Sequence, residues 1–376
     1  MENPPNNYKV NKFKKIVERF VKMISKNVGL LGLASAVIVW AIASLPELVS
    51  MVNRRHAEDS EHYPRFTDLT TAAVWFVVFM VAHAVSFLIL GPTARKLISK
   101  KPTWSTEVWI AKLERFCSAI FQLGFSLTST IILYVALRQT SWLPSVLGGS
   151  GSTAYCWADG FPFQTLPEIL RKFYLVFIGY SSAEMVGHVI RERKRPDFYE
   201  LLVHLLVTNV LLVFSYFCNY LRIGSLVMLA HSFSDIFVYL AKALVDTKIT
   251  GGALSYIPLL GVYVWCRIYV HTAVILRSVW MEAPVLVSEE NLPSVKYMNF
   301  LLSAILLLHM YWLFVIIKIG LFLVSTGKSR DMQASLSSIS VRVPPHGGPS
   351  SGPSGSATPE VCPAPMTNGK NVVKRK

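Results

Sequence analysis

Apolar runs at about 28–46, 69–91, 117–137, 173–190, 201–217, 223–245, 257–280 and 298–324 divide this chain. About 20 apolar residues cross the hydrocarbon of a bilayer as a helix. In lipid each backbone N–H and C=O must be satisfied within the protein, so such runs have little choice but to be helical. The fold expected is all-α, a polytopic transmembrane bundle of eight spans. It has seven if the first and shortest run, which ends at Pro46-Glu47, lies in the interface. Composition agrees: 52% of residues are hydrophobic and 16% charged, outside the range of soluble proteins of this length.

The net charge is +15, and the Lys and Arg sit between the apolar runs. That placement fits topology control and anionic headgroups, and argues against nucleic acid as a partner. Arg95, Lys96, Lys100, Lys101, Lys112 and Arg115 follow the second run. Arg191, Arg193, Lys194 and Arg195 follow the fourth, Lys242 and Lys248 flank the end of the sixth, and Lys328 and Arg330 follow the last. The alternate loops carry Glu47, Glu58, Asp59, Glu61 and Asp68, then Asp159 and Glu168, then Glu282, Glu289 and Glu290. The positive-inside rule puts both termini in the cytosol. Residues 1–27 place Val10, Phe13, Val17, Phe20, Val21 and Ile24 at helical spacing among lysines, a basic amphipathic segment suited to a membrane surface. Residues 28–62 hold the first span and its loop, and 63–328 the remaining spans. Residues 329–376 are Ser-, Gly- and Pro-rich and read as a disordered cytosolic tail. The five Cys form no CxxC pair, so neither a disulfide framework nor a zinc motif is expected from them. Neither a cleavable signal peptide nor an internal repeat is evident.

Ionisable groups at membrane depth are expensive and usually functional. Ionisable and other polar groups are densest around the fifth and sixth runs, as Asp197, Glu200, His204, Thr208, Ser215, Asn219, Arg222, His231, Ser232 and Asp235. His204 and Thr208 share one helix face, as do His231 and Asp235. The short link from Phe217 to Arg222 makes the two helices antiparallel neighbours. His204 falls near the cytosolic end and His231 deeper, so a vertical offset separates them. A His beside a carboxylate is a general-base arrangement, and a second His can take an acyl group or relay a proton. The bland alternative is that these groups satisfy one another between helices; their density favours function. Two His and one Asp are the bare minimum for a metal, so none is assigned.

This stretch resembles the Lag1 motif of ceramide synthases, within the TLC-domain family. His204, Thr208, Ser215, Asn219, Arg222, Gly224, His231 and Asp235 match it in order. The basic lead-in Arg191 to Phe198, Arg267, the segment Leu308 to Trp312, and Tyr63-Pro64 to Arg95 extend the resemblance over about 60–328. It implies a multi-pass protein of the endoplasmic reticulum, working as a homo-oligomer or as a hetero-oligomer with another ceramide synthase. Its activity would be transfer of a fatty acyl group from acyl-CoA to a sphingoid base, with no cofactor beyond the acyl-CoA co-substrate. His204, His231 and Asp235 would be catalytic; Thr208, Ser215, Asn219 and Arg222 would support them.

Two positions depart from the motif. Its second His is Leu205 here, and the first Asp of its His-Asp-x-x-Asp is Ser232. Leu205 can neither accept a proton nor donate one, and Ser232 donates a hydrogen bond but holds no charge. Glu184 and His188, four apart in the fourth run, are the candidates to compensate, together with Ser232. The alternative is a catalytically impaired relative that serves as partner or regulator of an active synthase.

Overall fold

The computed structural model describes residues 7–326 apart from 101, 103, 159, 194–196 and 248–254, with side chains from 29 onward except at 31, 292 and 322–326. The expected tail at 329–376 and the side chains of the basic amphipathic segment lie outside the described residues. Eight helices follow one another: α1 (Asn7–Glu58), α2 (Leu69–Leu97), α3 (Thr106–Leu137), α4 (Glu168–Arg191), α5 (Phe198–Phe217), α6 (Leu221–Leu244), α7 (Tyr256–Leu286) and α8 (Leu292–Thr326). Each is long and apolar enough to cross a membrane, and no β-strand occurs among the described residues. This is the eight-span helical bundle expected of a multi-pass membrane protein.

The first span differs in detail from its sequence reading. α1 does not stop at Pro46 but continues to Glu58. Proline removes one N–H from the ladder, a loss that membrane helices absorb within a packed bundle. Trp40 meets the Phe214 and Tyr297 rings at centroid distances of 5.3 Å each, which ties α1 to α5 and α8. α2 shows the outward face plainly. Val74, Val77, Val78, Val81, Val85, Leu88 and Ile89 form an exposed stripe at helical spacing, a face suited to lipid. α3 starts where Ser105 caps it, its hydroxyl accepting from the Val108 N–H at 3.3 Å.

The α5–α6 hairpin turns at Asn219, whose φ of +58° lies in the left-handed region. Asparagine is among the few non-glycine residues that visit this conformation readily. Gly224 follows because a Cβ there would meet the Tyr174 ring at 3.2 Å. The two helices are antiparallel, as expected, yet they are neighbours chiefly near their link. α5 packs against α4, α1 and α8, whereas α6 packs against α3 and α7. The hairpin thus splays away from its turn, and a cavity occupies the wedge.

α7 is irregular. From Val264 to Leu276, and again from Ser278 to Glu282, the backbone winds as a π-helix. Its i→i+5 bonds widen each turn, and Arg267 and His271, four apart, still share one face of it. Wide turns of this kind concentrate at functional sites.

The loop at 138–167 closes the end of the bundle that carries the acidic connections. Trp157 is 1% exposed and its indole N–H donates to Ser278 Oγ at 2.8 Å. Thr153 Oγ1 donates to Glu282 at 2.7 Å. Burial pushes the Tyr63 phenol up to about 12, which keeps its O–H a donor to the Phe217 carbonyl at 2.8 Å. Cys156 and Cys218 are buried thiols whose pKa desolvation raises, and Cys117, Cys156, Cys218 and Cys266 are all free.

Candidate active site

The cavity in the wedge has a volume of about 220 Å³ and draws on five helices beyond the hairpin. Its basic end, where the Lys- and Arg-rich connections lie, is lined by Arg115, Arg191, Lys242, Glu192 and Asp197. Arg191 reaches it by folding back over Gly187, where a Cβ would collide with the guanidinium. Lys112 Nζ stands 2.7 Å from Asp246, and Arg115 pairs with the same carboxylate, so part of this charge is internally balanced. Lys194 and Arg195 lie outside the described residues. Deeper come Glu184, His188, His204, Leu205 and Thr208, then His231, Asp235, Arg267 and His309, with Leu211, Leu212 and Met228 as apolar walls.

His204 lines the cavity with no hydrogen-bond partner among the described residues, and its Nδ1 is buried and unsatisfied. The imidazole is therefore uncommitted. The expected vertical offset from His231 is bridged by a residue of α8. His309 has its ring centroid 6.1 Å from that of His204 and 4.9 Å from that of His231, and its Nε2 lies 3.1 Å from His231 Nε2.

Asp235 does not orient His231. The carboxylate pairs with Arg267, whose Nε donates to Ser234 Oγ at 2.6 Å and whose Nη1 lies 3.1 Å from His309 Nε2. His231 Nδ1 instead sits 2.8 Å from the Val227 carbonyl. The i,i+4 spacing brought the two groups to one face, but a guanidinium from α7 competes for the carboxylate and wins, because a buried arginine needs a counter-charge.

The supporting positions divide. Thr208 lines the cavity. Ser215, Asn219 and Arg222 lie at the acidic end and hold the fold. Ser215 bonds the Tyr174 hydroxyl, and the Asn219 amide donates to the Pro162 carbonyl. Arg222 donates to the carbonyls of Tyr155 at 2.6 Å and Thr165 at 3.2 Å and lies 4.5 Å over the Trp142 ring.

The candidate compensating groups divide too. Ser232 points away from the cavity toward α3, where its hydroxyl bonds Ser129 Oγ at 2.9 Å. One residue past His231 means about 100° around the helix. His188 and Glu184 line the cavity but take other partners. His188 Nδ1 faces Glu192 at 2.9 Å, its Nε2 faces the Phe198 carbonyl at 2.9 Å, and Glu184 accepts from Gln122. With both ring nitrogens engaged, His188 clamps α4 to the start of α5, and only Glu184 of that pair still offers an oxygen.

His83, His271 and the bridging role of His309 escaped the sequence reading. His83 on α2 lines the cavity with Nε2 at 3.2 Å from Ser118 Oγ. His271 is fully buried beside His231 and His309, at centroid distances of 5.9 and 5.2 Å. A signal existed for it: Arg267 and His271 are an ionisable pair inside an apolar run.

Comparison with known proteins converges on the same family. The TLC domain matches residues 115–318, more than half of the chain. Ceramide synthase hyl-2 of Caenorhabditis elegans is 27% identical over 78% of this chain and 91% of its own length. Ceramide synthase 1 LOH3 of Arabidopsis thaliana is 25% identical over 71% of this chain and 88% of its own. Ceramide synthase 4 of Homo sapiens is 29% identical over 54% of this chain and half of its own length. With its eight spans and its Lag1-type run of residues along a membrane-buried cavity, the chain belongs to the TLC-domain family, among the relatives of the Lag1-type ceramide synthases.

Proposed function

We propose that the protein is an acyl-CoA-dependent N-acyltransferase of sphingoid bases, working in the endoplasmic-reticulum membrane with its basic end on the cytosolic side. The observation that carries this reading is the uncommitted His204, set between a basic mouth and the buried His309–His231 pair in one cavity.

Amide formation requires the substrate amine to lose a proton and the thioester carbonyl to be held against it. His204 is the group free to take that proton. The Arg267 guanidinium, held by Asp235 and Ser234, offers positive charge to the oxyanion that forms on the carbonyl carbon. Collapse of that intermediate releases the CoA thiolate, which takes up the proton, and forms the amide. Arg191 and Lys242 at the mouth suit the phosphates of CoA. The apolar walls at Leu211, Leu212 and Met228 suit the hydrocarbon chains.

A second reading rests on one observation: Leu205 lines the cavity, where its side chain can exchange no proton. The protein would then be a partner of an active synthase. One assay separates the two. Microsomes from cells devoid of ceramide synthase and expressing this chain alone are given labelled sphinganine and acyl-CoA. Labelled ceramide is the expected product. Ceramide formed only on co-expression with a homologue overturns the autonomous enzyme in favour of the partner role.

A further inference from the structure

We propose that His231, His271 and His309 form a binding site for one divalent transition metal, zinc by preference, at the deep end of the cavity. One ring nitrogen from each lies within 4.8 Å of the other two. The inference shares a cavity with the acyl-transfer reading but does not depend on it.

The hydrogen bonds decide which nitrogens face inward. His231 Nδ1 lies 2.8 Å from the Val227 carbonyl, His309 Nδ1 lies 3.2 Å from the Arg267 carbonyl, and His271 Nε2 lies 3.0 Å from the Leu302 carbonyl. A carbonyl only accepts, so each of these nitrogens carries the proton. The lone pairs are then on His231 Nε2, His309 Nε2 and His271 Nδ1. Anchoring a metal-binding imidazole through its other nitrogen to a backbone carbonyl is the usual means of fixing tautomer and ring direction.

Two of the lone pairs confront each other, since His231 Nε2 and His309 Nε2 are 3.1 Å apart. Imidazole nitrogens bound tetrahedrally to zinc stand about 3.3 Å apart, given a Zn–N distance of about 2.05 Å. The third lone pair, His271 Nδ1, is buried without a partner, although buried polar atoms are nearly always satisfied. Among the described residues, the donor that reaches the three is Arg267 Nη1, 3.1 Å from His309 Nε2. One N–H cannot serve three acceptors. A cation between them serves all three, with Arg267 drawing back onto Asp235 and Ser234, which already hold it. Three histidines leave a tetrahedral ion one open position, as in zinc sites that act on substrate. His231, His309 and Asp235 all line the cavity, which places that position within reach of a carbonyl oxygen there.

The test is metal content, read without turnover. The full chain is purified from zinc-replete cells in lipid nanodiscs, without a polyhistidine tag, and zinc per chain is measured by mass spectrometry. About one equivalent is expected. His271→Phe should lower occupancy at least tenfold, and His83→Phe should leave it unchanged. His271→Cys, which keeps a ligand, should retain the metal, and cobalt loaded in its place should gain a thiolate charge-transfer band. If His271→Phe does not fold, the cobalt spectrum of the wild-type and His271→Cys proteins carries the test. Wild-type protein that takes up neither zinc nor cobalt overturns the site, as does occupancy indifferent to folded His271→Phe. A metal-loaded protein without acyltransferase activity refutes only the proposed function, and an active metal-free protein refutes only the metal site.

Discussion

The two ends of the α5–α6 hairpin use polar residues in opposite ways. At the turn, the side chains of Ser215, Asn219 and Arg222 are anchored to Tyr174, Pro162, Tyr155 and Thr165, with Asn219 Oδ1 left over. In the wedge, His204 makes no hydrogen bond among the described residues, and His271, buried behind His231 and His309, keeps a bare Nδ1. Lipid offers no substitute for a missing partner, so a side chain at membrane depth that makes no hydrogen bond is the stronger candidate for chemistry. The anchored end therefore reads as scaffold and the open end as chemistry, although one continuous sequence motif, His204 to Asp235, runs through both.

That contrast can be broken by mutation. The largest effect is expected for His204→Ala. Turnover should fall by about a thousandfold, the range of a lost general base, while the thermal midpoint of the purified protein stays near wild type. A variant retaining a tenth of wild-type activity would remove His204 from the chemistry. Arg222→Met should do the reverse. It strips two part-buried carbonyls of their charged donor and is expected to lower stability by about 2 kcal/mol, with turnover per folded molecule unchanged. Activity lost without any change in unfolding would put Arg222 in the site. Asp235→Asn frees the guanidinium that lies against His309, and turnover should drop on the order of thirtyfold through misplacement. Arg267→Lys should mimic it if positioning is the cause. Ser232→Ala should be mildest, about 1 kcal/mol of stability for one buried hydroxyl pair, with kcat unaltered. A marked loss of kcat would bring Ser232 back into catalysis.

Much of the architecture was legible because lipid leaves a helix few alternatives. Eight apolar runs gave eight helices, and the run ending at Pro46 misled only about where its helix stops. The site was legible in part. His204, His231 and Asp235 do lie along one cavity, but their partners come from α7 and α8, far along the chain. Spacing within a helix predicts a shared face, not which guanidinium arrives from elsewhere. So the Asp235–Arg267 pair, the His309 bridge and the wasted hydroxyl of Ser232 all required the packed bundle. Asn219 carried its own clue, since a turn residue with positive φ favours Asn whatever the activity.

The π-wound stretch of α7 has a consequence for how this cavity could arise or vanish. A wide turn is what one surplus residue leaves in a helix whose ends are pinned by packing. Deleting a single residue between Arg267 and His271 would let the segment rewind toward ordinary pitch, and with both ends pinned the change would fall on the faces presented within that stretch. The length of bilayer crossed would scarcely change, yet the imidazole of His271 would swing from interior to another face. One codon in the middle of a span thus works as a rotary setting, able to assemble or dismantle the cluster of three histidines while leaving the topology of the protein untouched.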